Sequence, residues 1–175
     1  MANTNTKGTR WAPIENLSRA SILMERIIHA PSGEPRMAIL TGKPGLGKTF
    51  AAQYLQNRYE AYRIECNSVM NRKSLMISLL RDQMSITPAK TMPEMLEQII
   101  IQMTDSERPL IIDEFDYLVD KGAIEIIRDI HDGSANCPIL LIGEENLAQK
   151  LDKWERFSRR ILDKVTVQPL SLIHI

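Results

Sequence analysis

Apolar residues recur along this chain with two different periods, and the alternation between them sets out the architecture. Leu17, Ala20, Met24 and Ile27 fall at helical spacing between Ile14 and Ile28, with Asn16, Arg19 and Glu25 between them, which predicts an amphipathic helix. Pro31, Gly33 and Pro35 interrupt the chain. Met37–Leu40 is then a short apolar run stopped by Thr41-Gly42, the pattern of a buried strand. A helix over about Lys48–Asn57 and a strand over Tyr62–Cys66 follow. Asn71 is placed to cap a helix carrying Leu75, Met76, Leu79, Leu80 and Met84. Thr91 and Glu94 have capping-box spacing, and the helix they open sets Met92, Met95, Leu96, Ile99, Ile100 and Met103 on one face. Pro109–Ile112 is a third strand. Ala123, Ile127 and Ile130 predict a helix ending at Asp132-Gly133, and Pro138–Ile142 a fourth strand. Leu147–Ile161 reads as mostly helical, and Val165–Val167 as a fifth strand. Short, fully apolar strands alternating with helices imply an α/β fold: a five-stranded parallel sheet sandwiched by helices.

Composition narrows the class. With 175 residues and 43% apolar content, the chain is long enough for one core of ordinary domain size. Its 22 basic residues balance its 22 acidic ones, which excludes packing of nucleic acid by overall basicity. No apolar run approaches the roughly 20 residues that span a bilayer. Met1–Arg10 is polar, a flexible tail rather than a secretory leader. These features together predict a cytoplasmic protein without a membrane partner. Cys66 and Cys137 lack CxxC spacing, so neither a disulfide scaffold nor a zinc cluster is expected, and His29 and His131 show no ligand spacing. The nine methionines sit mostly on helix stripes and read as core filler.

Two motifs carry chemistry. Gly42-Lys43-Pro44-Gly45-Leu46-Gly47-Lys48-Thr49 fits the phosphate-loop pattern GxxxxGK[ST] without a mismatch, between a predicted strand and a predicted helix. Glycines let backbone N–H groups approach phosphate oxygens closely, and the following helix N-terminus adds partial positive charge. Lys48 would place an ammonium on the β- and γ-phosphates of ATP, and the Thr49 hydroxyl would ligate Mg²⁺. Phe50 completes the stretch expected to line the cofactor. The second motif, Leu110-Ile111-Ile112-Asp113-Glu114, is an apolar run ending in two carboxylates. Asp113 is expected to hold the Mg²⁺, and Glu114 to polarise an attacking water, the two pointing apart by strand alternation. Asp116 nearby reads as a helper or a surface residue.

The stretches PRMAILTGKPGLGKTFAAQYLQ, RPLIIDEFDYLVDKGAIEIIRDIHDG, PILLIGEENLAQKL and WERFSRRI make the chain resemble the AAA+ ATPases, and more narrowly the B-type transposition ATPases of Mu-like phages. The resemblance spans nearly everything from Trp11 to Pro169. It implies a Mg-dependent ATPase with its active site at a subunit interface, working in a bacterial host cell. It further implies ATP-dependent assembly into a homo-oligomer or filament on double-stranded DNA. Capture of target DNA without sequence preference and stimulation of a transposase follow from the same likeness. Family members place an arginine on the neighbouring subunit's γ-phosphate; Arg156, Arg159 and Arg160 are the candidates, with Arg160 favoured. The family's polar sensor after the fourth strand falls on Glu144, a departure from its usual Asn, Thr or Ser. Axis-facing loops offer Arg72, Lys73 and Lys121 as DNA contacts.

The expected organisation is a tail at 1–10, an AAA+ α/β domain at 11–169 without the helical lid that follows the last strand in that family, and a non-native tail at 170–175. A helicase-loader type of AAA+ ATPase differs only in its partner. A small P-loop kinase is the remaining alternative, weakened because no insert supplies an acceptor pocket or an arginine-bearing lid.

Overall fold

Five short strands, β1 (Met37–Thr41), β2 (Tyr62–Glu65), β3 (Leu110–Asp113), β4 (Ile139–Gly143) and β5 (Ile161–Thr166), form one parallel sheet in the order β2-β3-β4-β1-β5. The computed structural model describes residues 11–31 and 33–169, with side chains from residue 14 onward; the expected tails at 1–10 and 170–175 lie outside them. The helices are α1 (Trp11–Ile28), α2 (Lys48–Tyr59), α3 (Arg72–Ser78), α4 (Met92–Ser106), α5 (Asp116–Asp120), α6 (Ile124–Gly133), α7 (Leu147–Asp152) and α8 (Glu155–Ser158).

The three inner strands are buried at every position, which is why they read as unbroken apolar runs. Side chains alternate between two cores. Ala38 and Leu40 of β1 pack with Leu23 and Met24 of α1 and Leu55 of α2. Met37 and Ile39 pack on the other face with Met76 of α3, Ile99 of α4 and Ile127 of α6. Each large aliphatic side chain so enclosed contributes about 1.5–3 kcal/mol of burial.

Strand order creates a crevice. From β1 the chain crosses through α2 to β2, at one edge of the sheet; from β4 it crosses through α7 and α8 to β5, at the other edge. Neighbouring strands β1 and β4 therefore send their connections in opposite directions, the arrangement that opens a binding crevice at the carboxyl ends of the strands.

The structure departs from expectation in four places. First, β5 begins at Ile161, four residues before the predicted start, and the predicted helix to Ile161 is two short pieces. As an edge strand β5 is only partly covered, so Asp163 and Lys164 interrupt its apolar pattern. Second, α1 starts at Trp11 rather than Ile14. Third, an additional short helix, α5, follows the acidic pair. Fourth, the helix opened by the Asn71–Ser74 capping box passes into a π turn over Leu79–Gln83, closed by Met84 N–H donating to Leu79 O at 3.0 Å. The Gln83 amide oxygen accepts from Arg63 N–H at 2.9 Å, occupying a ladder donor on the outer edge of β2.

Candidate functional site

The phosphate loop leaves β1 directly into α2. Gly45 and Gly47 have φ of 81° and 83°, which glycine alone adopts without cost. Gly42 is fixed for another reason: a Cβ there would lie 2.2 Å from Val167 Cγ2. The N-cap of α2 is Gly47, which has no side chain to cap it, so among the described residues its first-turn N–H groups remain open. Lys48 is 8% exposed, and its ammonium donates to Gly42 O at 2.7 Å and Lys43 O at 3.0 Å. Among the described residues no carboxylate pairs with it. A largely buried cation held only by neutral carbonyls, beside an open helix N-terminus, is a site for an anion.

Strand register brings the acids to the same edge. Leu40 pairs with Ile142, and Ile112 with Leu141, so Asp113 stands level with Leu40 with β4 between them. Two strand spacings put their backbones about 10 Å apart. Asp113 is 1% exposed. Its Oδ1 accepts from Glu114 N–H at 3.0 Å, and its Oδ2 from Arg63 Nη2 at 3.2 Å. Glu114 lies past the strand end at φ 53°, so a left-handed turn, not strand alternation, separates the two carboxylates. This corrects the expected origin of their divergence. Burial raises the pKa of Glu114 above its ordinary value, Asp113 adds to this, and the Lys48 charge opposes it.

Asp116 is buried, which excludes the surface reading. Its Oδ2 accepts from Glu144 N–H at 2.8 Å, and Oδ1 faces Lys150 Nζ at 3.6 Å without a hydrogen bond. A Cβ on Gly143 would lie 2.2 Å from Asp116 Oδ2, so glycine is needed for this carboxylate to brace the end of β4. Glu144 itself is exposed, and with Lys43, Pro44, Glu145 and Asn146 it lines a cavity of about 230 Å³ beside the phosphate loop. A larger cavity, about 630 Å³, lies instead among α1, the end of α2 and β5. Thr49 and Phe50 are exposed on the first turn of α2.

The three arginines stand at the opposite end of the sheet, where α8 enters β5. Arg160 grips Asp132 with Nε at 2.6 Å and Nη2 at 2.5 Å, and Nη1 donates to Arg156 O. Arg159 pairs with Glu155; Arg156 forms no ion pair among the described residues. Phe115, next to Glu114, stacks on Phe157 of α8 with ring centroids 6.1 Å apart, linking the acidic edge to the arginine-bearing helix. The basic loop residues do converge: Arg72 Nη2 donates to Gly122 O at 3.4 Å, and Lys121 Nζ donates to Met70 O at 2.9 Å and to Ser68 O. Lys73 is exposed on the same helix turn as Arg72.

Sequence reasoning missed Arg63 and Asn16. Arg63 lies on β2 two residues before Glu65, the register partner of Asp113, and that offset was legible only once the strands were paired. Asn16 appeared as one polar position of an amphipathic helix, although it is almost fully buried.

Residues 32–151 match the family described as AAA domain, and the chain belongs to that family. Among solved structures, that of C. elegans PCH-2 aligns at 21% identity with a TM-score of 0.48, covering 91% of this chain and 43% of that one. This chain thus spans less than half the length of that protein. No curated protein matches the chain. No described helix is long and apolar enough to cross a membrane.

Proposed function

We propose that residues 11–169 form an ATPase unit that binds ATP with Mg²⁺ and couples hydrolysis to assembly on duplex DNA. The observation that carries the nucleotide reading is the Lys48 ammonium, largely buried and, among the described residues, satisfied by loop carbonyls alone next to an uncapped helix. A triphosphate gives that charge its counter-ion; Gly45, Gly47 and the first turn of α2 supply backbone donors. The oxygen donors Thr49 and Asp113 suit Mg²⁺, a hard cation that prefers carboxylate and hydroxyl oxygen. When bound, Mg²⁺ neutralises charge that develops on the transferred phosphoryl group. Arg63 and the Glu114 N–H hold the Asp113 carboxylate in place for this. Glu114, with its raised pKa, orients and deprotonates water.

Arg160 cannot reach its own loop across the sheet, which suits a role on a neighbouring subunit after release from Asp132. Such an arginine is worth roughly 10³–10⁵ in rate, so isolated subunits are expected to be slow. The meeting of Arg72, Lys73 and Lys121 at one loop cluster supports a backbone-directed DNA contact, repeated along an assembly and sensitive to salt. Within the AAA family, the quoted sequence stretches favour the Mu-like B group, with a transposase as partner.

Phosphate release with and without duplex DNA tests this. We expect DNA to stimulate the wild-type chain, Lys48→Ala to show no nucleotide binding, and Glu114→Gln to bind ATP without turnover. Normal turnover by Glu114→Gln would remove the base assignment. Absence of any DNA effect on hydrolysis, sedimentation or filament formation would remove the DNA reading.

A further inference from the structure

Asn16 joins three segments that are far apart in sequence. It sits on α1, 4% exposed. Its amide nitrogen donates to Leu46 O at 3.3 Å and to Gln168 O at 3.2 Å, and its amide oxygen accepts from Gln168 N–H at 3.3 Å. Leu46 is the residue between the two left-handed glycines of the phosphate loop. Gln168 lies just past β5.

The two segments that Asn16 ties also touch without it. Val167 N–H donates to Thr41 O at 2.7 Å, and the Thr41 and Thr166 hydroxyls are 2.9 Å apart. Val167 fills the space that any Cβ on Gly42 would need. The base of the loop is therefore packed against 166–167, and its tip is bound through Asn16 to 168. A loop rich in glycine has many conformations to lose. Fixing Leu46 from outside lowers the ordering cost when an anion binds, and the same bond transmits any loop movement to Gln168.

We propose that Asn16 is a positioning residue that links the conformation of the phosphate loop to the chain leaving β5, so that nucleotide occupancy is felt at residues 166–168. The proposal rests on the nucleotide reading of the loop. Coupling of this kind works both ways: whatever stabilises the Gln168 contacts also favours nucleotide binding.

Amide hydrogen exchange on the full chain, with Mg²⁺ and with or without a non-hydrolysable ATP analogue, provides the test, alongside analogue affinity and thermal unfolding. In the wild type, binding should slow exchange at the Gln168 amide. Asn16→Ala should bind the analogue about tenfold more weakly, with Gln168 no longer responding. Asn16→Asp retains an acceptor for Gln168 N–H, while its second carboxylate oxygen faces both Leu46 O and Gln168 O, where the amide nitrogen had donated. It should match Asn16→Ala in affinity while keeping Gln168 protected before nucleotide is added. A purely structural asparagine would lower the unfolding temperature in both variants without that split. Unchanged affinity in Asn16→Ala overturns the proposal, as does a wild-type Gln168 amide indifferent to bound analogue. The latter result decides the matter even if neither variant folds. Failure of the wild type to bind any analogue is a separate outcome, in which the nucleotide reading falls and takes this coupling with it.

Discussion

The two ends of the sheet handle charge in opposite ways. At the amino end, charges close on one another. Asp132 is gripped by two nitrogens of Arg160 and accepts from His131 Nδ1–H at 3.1 Å, while His131 Nε2 accepts from the backbone of Arg36 at 3.3 Å. The Arg36 guanidinium in turn donates to Ile28 O and Ala30 O. At the carboxyl end, closure is partial among the described residues: Lys48 has carbonyls but no anion, Asp116 Oδ1 faces Lys150 Nζ at 3.6 Å without a hydrogen bond, and Arg63 pairs with Asp113 and Glu65 while its Nε lacks a partner. Buried charges are normally paired, so a lysine without an anion marks where an anionic ligand completes the structure, and a closed network marks a brace.

The largest effect that separates the ends is expected at Arg63. Arg63→Ala leaves the Asp113 carboxylate buried without its cation, which should cost about 3–5 kcal/mol in urea unfolding. Adding Asp113→Asn should restore part of that loss; simple additivity of the two changes would show that the pair is not coupled. Gly42→Ala comes next. Its new Cβ meets Val167, and overpacking of this kind costs about 1–3 kcal/mol. Nucleotide affinity should fall as well, measured by titration with a fluorescent ATP analogue.

The brace at the other end predicts a smaller effect, in pH. Burial lowers the pKa of His131 below its ordinary 6.5. The unfolded chain therefore takes up a proton first as pH falls, and stability should decline from pH 7 towards the lowered folded-state value. His131→Gln should flatten that slope, as followed by the thermal midpoint across pH 5–8 (a range set by the roughly 6.5 reference pKa). The smallest effect is expected for Asp132→Asn. The ion pair with Arg160 is partly exposed, so its loss should cost only about 0.2–1 kcal/mol, while assembly-dependent hydrolysis should rise because Arg160 no longer has to be released from Asp132.

Much of the fold was legible because inner parallel strands are apolar on both faces and cannot be mistaken for surface. Met37–Leu40, Pro109–Ile112 and Pro138–Ile142 were found for that reason. Edge strand β5 is blurred because none of its residues is fully buried, Lys164 and Thr166 are exposed, and the extra residue Leu162, between the partners of Met37 and Ala38, breaks its register with β1. The phosphate loop was fully legible, since close backbone approach to phosphate demands those glycines at that spacing. Arg63 and Asn16 were not, because their roles come from register and tertiary contact. An arginine on a strand and an asparagine on a helix look like ordinary polar positions until the elements are placed.

The central claim is that the gap between the phosphate loop and the acidic strand end is completed by a nucleotide. Calorimetric titration of the full chain with a non-hydrolysable ATP analogue and Mg²⁺, set beside Lys48→Ala, tests it most directly. The account predicts one bound nucleotide per wild-type chain and no measurable binding in the variant. Equal binding by the two proteins, or none by either, would contradict it.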